Sequence, residues 1–230
     1  MNHIVDTSDK SFQQLVRTRH SCRAFLSKPV PETLIYNVLQ DAQQSPSNCN
    51  TQPWNVHIVS GEVKNTLSEK LIEAYNSETY SSDFSFDTGH FTGRYKERQF
   101  AQGKTYYEAL GVAREDKEGR KQANLYNYKF YNAPHAALLF MPSVGDHVRV
   151  AGDVGMYAQT FLLSLTAHGL AGVPQTVLGM FADVVRKHLG ISAEYKMLFG
   201  ISFGYEDLTS KANSFRFERD PVLSNVTFHQ

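Results

Sequence analysis

The 230-residue chain is poor in cysteine, holds one tryptophan and carries no excess charge of either sign. Its two cysteines, Cys22 and Cys49, cannot build a disulfide framework, which points to a reducing, cytoplasmic setting. The opening residues MNHIVDTSDK lack the basic-then-apolar layout of a signal peptide, in keeping with that expectation. Lysine plus arginine total 23, as do aspartate plus glutamate, so no global field draws the chain to nucleic acid or to a membrane surface. Long apolar runs are also missing. The least charged stretch, Val154 to Ala182, has no acid, lysine or arginine, yet Gln159, Thr160, Ser164, Thr166 and His168 interrupt it. Gly169 ends its helical part short of the roughly 20 apolar residues a span requires. It reads as a helix buried on nearly all sides, which in one domain of this size implies contact with a second subunit.

Familiar catalytic signatures are absent as well. There is no GxxxxGK[ST] phosphate loop, no GxGxxG behind a strand, and no HExxH or CxxC; GISFG at 200–204 has GxSxG spacing but lies inside the apolar strand run KMLFGISFGY, not at a strand-to-helix elbow. The nine histidines are scattered without metal-ligand spacing, so no metal is expected. Hydrolase and metalloenzyme readings lose ground accordingly.

The length suffices for one domain with a substantial core, and 12 tyrosines and 15 phenylalanines suit an aromatic-rich pocket. Phe12, Leu15, Val16 and Arg19 have helical spacing, with Ser8 as the expected cap. Pro31 opens a second helix whose apolar stripe is Leu34, Ile35, Val38, Leu39 and Ala42. WNVHIVSG alternates like a strand, and EVKNTLSEKLIEAY follows as an exposed helix. Residues 80 to 100 have no clean period but many aromatics, which reads as a lid. Helices are expected near 101–113, 117–130, 148–168 and 180–189, and strands at AALLFMPS and KMLFGISFGY. The sum is an α+β architecture around one sheet: a single domain over 1–230, with 80–130 a lid or helical insertion. The tail from Thr209 to Gln230 has no period and is expected to reach a partner subunit.

Two stretches carry polar chemistry. In RTRHSCRAF, Arg19, Ser21 and Arg23 alternate, so in extended backbone they project from one side and suit a phosphate or another anion. A solvated basic strand end is the plain alternative for those residues alone. SPSNCNTQPW, residues 45 to 54, has far more hydrogen-bonding capacity than a connecting loop needs.

In order along the chain, RHSCRAF, SPSNCNTQPW, HGLAGVPQ and LFGISFGYED resemble the FMN-dependent nitroreductase family. The middle section YKERQFAQGKTYYEALGVARED is similar to its long-lid, nitrobenzoate-type branch. The resemblance implies a nitroreductase-like fold, a central mainly antiparallel sheet surrounded by helices, in an intertwined homodimer with FMN at the subunit interface. It implies that Arg19, His20 (through its backbone) and Ser21 hold the FMN phosphate with Arg219, Arg216 being a second candidate. Many relatives have Arg-Arg-Ser at 19–21, and some have a cation where Phe217 stands. Arg23 would lie at the flavin N1–C2=O edge, where a fixed cation eases reduction. Pro46, Ser47, Asn48 and Asn50 would border the flavin held mainly by the other subunit, with Gln52 and Trp54 supporting the loop. Pro174, Gln175 and Thr176 would pass the N5/O4 edge, and Asn127 the pyrimidine edge.

The implied activity is ping-pong hydride transfer from NADH or NADPH through flavin N5 to a flat, electron-poor acceptor such as a nitroaromatic or quinone. No catalytic side chain is required. Phe84, Phe86, Phe91 and Tyr95 are the candidate acceptor contacts on the lid, and Arg94, Lys96 and Arg98 form either a charged face or an anion attractor. Cys22 and Cys49 read as buried small residues, His168 as structural, and Asp153 as a helix-start or packing group. The alternatives are a non-catalytic flavin-binding or sensor protein and, within the fold, a flavin or enone reductase. Without flavin, RxSxR alone would make an anion-binding module, leaving the other two stretches unexplained.

Overall fold

The computed structural model describes residues 10–85 and 87–230. Among these residues lie seven α-helices: α1 (Phe12–Thr18), α2 (Glu32–Ala42), α3 (Gly61–Asn76), α4 (Gly93–Ala109), α5 (Lys117–Tyr128), α6 (Val148–Ala167) and α7 (Ala182–Leu189). Four strands, β1 (Asn55–Ser60), β2 (His135–Pro142), β3 (Ala171–Gln175) and β4 (Tyr195–Gly204), form one sheet in the order β1-β2-β4-β3. Each pairing is antiparallel, with Asn55 opposite Phe140, His135 opposite Phe203 and Ala171 opposite Gly204.

The period-two side-chain alternation of a strand sorts the core into two layers. Ala137, Leu139 and Met141 of β2 face Trp54, Tyr157 and Phe161 under α2 and α6. Ala136, Leu138 and Phe140 face Leu67, Leu71, Phe181 and Val185 under α3 and α7. A central strand covered on both faces must be apolar throughout, which is why HAALLFMP shows no polar alternation.

Several sequence expectations need correction. The expected cap Ser8 lies outside the described residues. Ser11 caps α1 instead: its Oγ accepts the Gln14 N–H while Gln14 Oε1 accepts the Ser11 N–H at 2.7 Å. The irregular segment is shorter than residues 80 to 100, because α4 begins at Gly93 and ends at Ala109, and α5 stops at Tyr128. The motif HGLAGVPQ contains a strand, β3, missed because five residues hold a glycine and a proline. Within one chain α6 is not buried all round: Gly152, Gly155, Met156 and Gln159, at helical spacing, form an exposed stripe. Among the described residues no helix is long and apolar enough to cross a membrane.

Beside β3 runs the RHSC segment. Ser21 bridges Gly172 in parallel, and the Cys22 N–H donates to the Gly172 carbonyl at 3.3 Å. The start of the lid is fixed differently. Asp83, its side chain 6% exposed, accepts from Arg186 Nη1 and Nη2 at 2.5 and 3.1 Å and from the Met197 N–H at 2.8 Å.

Candidate functional site

The extended backbone of residues 19 to 23 sends its side chains to two neighbourhoods rather than to one anion. Arg19, at the C-terminal end of α1, is half-buried, and burial together with the neighbouring Arg219 charge pushes its guanidinium below the usual arginine range. Among the described residues neither Arg19 nor Arg219 has a carboxylate partner; Arg219 donates only to the carbonyls of Phe217 and Glu218. Two like charges drawn together without a counter-ion fit an anion between them. Ser21 is partly buried in the same extended segment. His20 is held by its ring, not only its backbone: Nδ1 lies 2.9 Å from the Thr18 carbonyl and Nε2 2.9 Å from Glu206 Oε1. Arg216 is 3.9 Å from the same Glu206 oxygen and donates to the Asn213 and Phe215 carbonyls.

Arg23 enters an aromatic corner, its guanidinium 5.3 Å from the Tyr106 ring centre and 5.9 Å from that of Phe215. Beside it begins a chain of polar contacts. Tyr131 donates to Asn127 Oδ1 at 2.9 Å, Gln175 Nε2 donates to the Asn127 carbonyl at 2.9 Å, and Ser202 donates to Gln175 Oε1. Asn127, Gln175 and Arg23, taken from three distant parts of the sequence, are thus brought together through Tyr131. That tyrosine is aimed by a run of three non-glycine residues in left-handed conformation, Phe130 (φ 54°), Tyr131 (φ 51°) and Asn132 (φ 60°). Such residues cost on the order of 1–3 kcal/mol each and gather at functional sites. Arg23, Tyr106 and Tyr131 also line a cavity of about 500 Å3 between α4, α5 and the segment 207–212. Pro174 and Thr176 flank buried Gln175 and are themselves exposed.

The polar loop sits on α6. Asp153, 5% exposed, accepts the Asn48 N–H with its two carboxylate oxygens at 3.1 and 3.2 Å, and Ser45 donates to Thr160 at 2.8 Å. Ser47 Oγ accepts the Gln52 N–H, and Gln52 Nε2 donates to Asn50 Oδ1 at 3.0 Å. Cys49, Asn50 and Gln52 all have positive φ. Trp54 donates to Gln43 at 2.7 Å and packs on Tyr157, so it is a buried support, as its setting in the sequence implies. Pro46, Asn48 and Asn50 remain exposed and Ser47 partly so. No hydrogen bond among the described residues joins this loop to Arg19, Arg23 or Arg219.

On the lid the expectations divide. Phe84 packs on the core, with His147 edge-on at 5.4 Å, so it does not stand free for an acceptor. Phe86 lies outside the described residues. Phe91 and Tyr95 are exposed. Of the three cations there, Lys96 stays near Phe100, whereas Arg98 pairs with Asp220 and Arg94 donates to the Ser224 carbonyl at 3.1 Å. Residues 220–224 therefore lie along α4 of their own chain. Cys22 is fully buried, its thiol pushed up to about 12 chiefly by burial, while Cys49 is exposed, contrary to expectation. No cluster of three or more metal-binding side chains occurs among the described residues.

Sequence reading missed Tyr106, Tyr131, Asn213 and Glu206, and undervalued Asp153. Glu206 and Asn213 had one available signal, their place directly after the last strand beside an arginine-rich tail. Asn213 Oδ1 accepts the Arg23 N–H at 2.7 Å and its Nδ2 donates to the Ala24 carbonyl, pinning the cation strand.

The chain is 42% identical over 216 residues to the nitroreductase NfnB of Mycolicibacterium smegmatis, covering 94% of this chain and 92% of that one. It is 30% identical over 211 residues to a 4-nitrobenzoate reductase of Pseudomonas putida, covering 91% of each. Its backbone superposes with a TM-score of 0.91 on the solved FMN-dependent nitroreductase NfnB from Mycobacterium smegmatis in complex with NADPH, at 41% identity over 95% of this chain and 97% of that one. Residues 16–205 match the sequence profile of the nitroreductase family, and the chain belongs to that family.

Proposed function

We propose that this protein is an FMN-dependent NAD(P)H oxidoreductase that reduces nitroaromatics or similar flat, electron-poor acceptors by a ping-pong route. The observation that carries this reading is the Arg19–Arg219 pair, two cations without a carboxylate partner among the described residues, in a member of the nitroreductase family. Support comes from relatives described as a nitroreductase, a 4-nitrobenzoate reductase and an FMN-dependent enzyme complexed with NADPH.

In this reading Arg19, Ser21 and Arg219 hold the phosphate, with charge-assisted hydrogen bonds of about 1.5–3 kcal/mol each. Arg216, engaged with Glu206, steadies His20 instead. Arg23 supplies fixed positive charge at the pyrimidine edge, and Asn127 and Gln175, already locked together, present preoriented amide groups there. Bound FMN supplies the hydride relay between the nicotinamide and the acceptor. Pro174 and Thr176, exposed on either side of Gln175, would help hold the flavin, and exposed Phe91 and Tyr95 would meet the acceptor.

The exposed loop of Pro46, Ser47, Asn48 and Asn50 serves a second copy of the chain. Its distance in bonding from the cation cluster, together with the exposed α6 stripe beside it, supports a homodimer with the cofactor between subunits. Two unpaired cysteines suit a cytoplasmic location. The chain acts as one domain, with 80–130 as lid and helical insertion.

The test is anaerobic: purified protein carrying FMN bleaches on addition of NADPH or NADH and recovers its colour with 4-nitrobenzoate. Protein that binds FMN but never bleaches with either nicotinamide is a flavin-binding or sensor protein instead.

A further inference from the structure

The lid helix and the C-terminal segment meet at two points that the flavin chemistry does not use. Arg98 of α4 pairs with Asp220, and one turn earlier Arg94 donates to the Ser224 carbonyl at 3.1 Å. A third contact, the edge-on Tyr106 and Phe215 rings 6.3 Å apart, joins the far end of α4 to the same segment. Between these anchors stands Arg219, adjacent in sequence to Asp220. Pro221 fixes the backbone immediately after Asp220, and Ser224 closes the turn by donating to the Pro221 carbonyl at 2.7 Å. Among the described residues Arg219 donates hydrogen bonds only to the nearby Phe217 and Glu218 carbonyls, so its own hydrogen bonds do not fix it to another element.

We propose that α4 positions the phosphate-binding arginine: Arg98 through Asp220, and Arg94 through Ser224, clasp the C-terminal segment so that Arg219 faces Arg19. The proposal rests on the FMN reading above and adds residues outside the cofactor site to it. Its consequence is a link between lid and cofactor. An α4 that swings away carries Asp220 with it and withdraws Arg219 from the phosphate, so lid opening weakens cofactor retention. The exposed ion pair is worth little alone. It acts by removing freedom from a segment that otherwise has few side-chain anchors.

Charge makes the test decisive. Asp220→Asn removes a negative group next to the phosphate cation, so a simple field effect tightens FMN binding, whereas loss of the clasp weakens it. FMN and riboflavin are titrated into cofactor-free protein by fluorescence quenching, because riboflavin lacks the phosphate and ignores Arg219. The expected result is FMN binding roughly twofold to fivefold weaker in Asp220→Asn and in Arg98→Gln, with no further loss in the double variant and riboflavin unchanged. An FMN-to-riboflavin affinity ratio in Asp220→Asn equal to or above the parent's overturns the clasp. Arg219→Ala run alongside separates the two failures. If that variant loses the ratio while Asp220→Asn keeps it, the clasp alone is wrong; if both keep it, the phosphate site falls as well.

Discussion

Both carboxylate oxygens of Asp153 accept the backbone N–H of Asn48, at 3.1 and 3.2 Å, and so tie the polar loop to the second turn of α6. A buried acceptor of this kind does more than pack. It holds a turn in which Cys49, Asn50 and Gln52 are all kept at positive φ. Asp153→Ala leaves that N–H unsatisfied and should destabilise the fold by about 1.5–3 kcal/mol, and Asp153→Asn by less, since a carboxamide oxygen still accepts. Thermal melts of the cofactor-free protein decide it; an alanine variant melting within about a degree of the parent removes Asp153 as the anchor.

Arg19→Ala separates stability from binding. The residue faces a like charge and no acid among the described residues, so the cofactor-free variant should be at least as stable as the parent. FMN affinity should fall about tenfold to a hundredfold with loss of a charge-assisted contact. Full flavin content after purification would count against the phosphate assignment.

Alkaline pH tests the packing beneath the site. Burial, the first cause in each case, raises Cys22 from 9.0 to about 12 and Tyr157 from 10.0 to about 12, and moves Tyr106, Tyr128 and Tyr131 in the same direction. A group whose folded pKa is raised stabilises fully below its unfolded value and loses that contribution as pH climbs through the folded one. Stability should therefore hold up to roughly pH 9 and decline between there and about pH 12, read as falling melting temperature alongside tyrosinate absorption. At about pH 8 the native Cys22 thiol should not react with a water-soluble disulfide reagent.

Gly172 joins sheet and site. A Cβ there would stand 2.9 Å from Leu165 Cδ1 and 3.0 Å from Leu162 Cδ2, while its carbonyl receives the Cys22 N–H. Gly172→Val should cost about 1–3 kcal/mol through overpacking and displace the Ser21 strand, weakening FMN and not merely the fold. Unchanged FMN affinity in a destabilised variant would mean the bridge does not position Ser21.

The sheet's inner strands were legible because an eight-residue apolar run such as HAALLFMP has one favourable environment, a covered central position. Ser11 shows the limit: Ser8 and Ser11 are equally good caps by type, and only the reciprocal bonds with Gln14 choose between them. α4 was read too short because its first two turns carry glycine, arginines and aromatics with no apolar stripe. Within the site, Arg19, Ser21 and Arg23 stood out by charge and alternation, whereas Tyr131 did not. Its placement depends on three left-handed residues and on bonds to Asn127, and neither leaves a mark in composition. Phe84 was misread for the opposite reason, since an aromatic within an irregular segment says nothing about which way it points.

The parallel bridge from Ser21 to Gly172 has a further effect. β3 ends the sheet, and a bare strand border offers unpaired donors and acceptors to any passing chain. Pro174 deletes one donor from that border, and residues 21 and 22 lie across part of the rest. Freeing them would expose a template for aggregation, so the segment proposed to hold an anion also shields a sheet border.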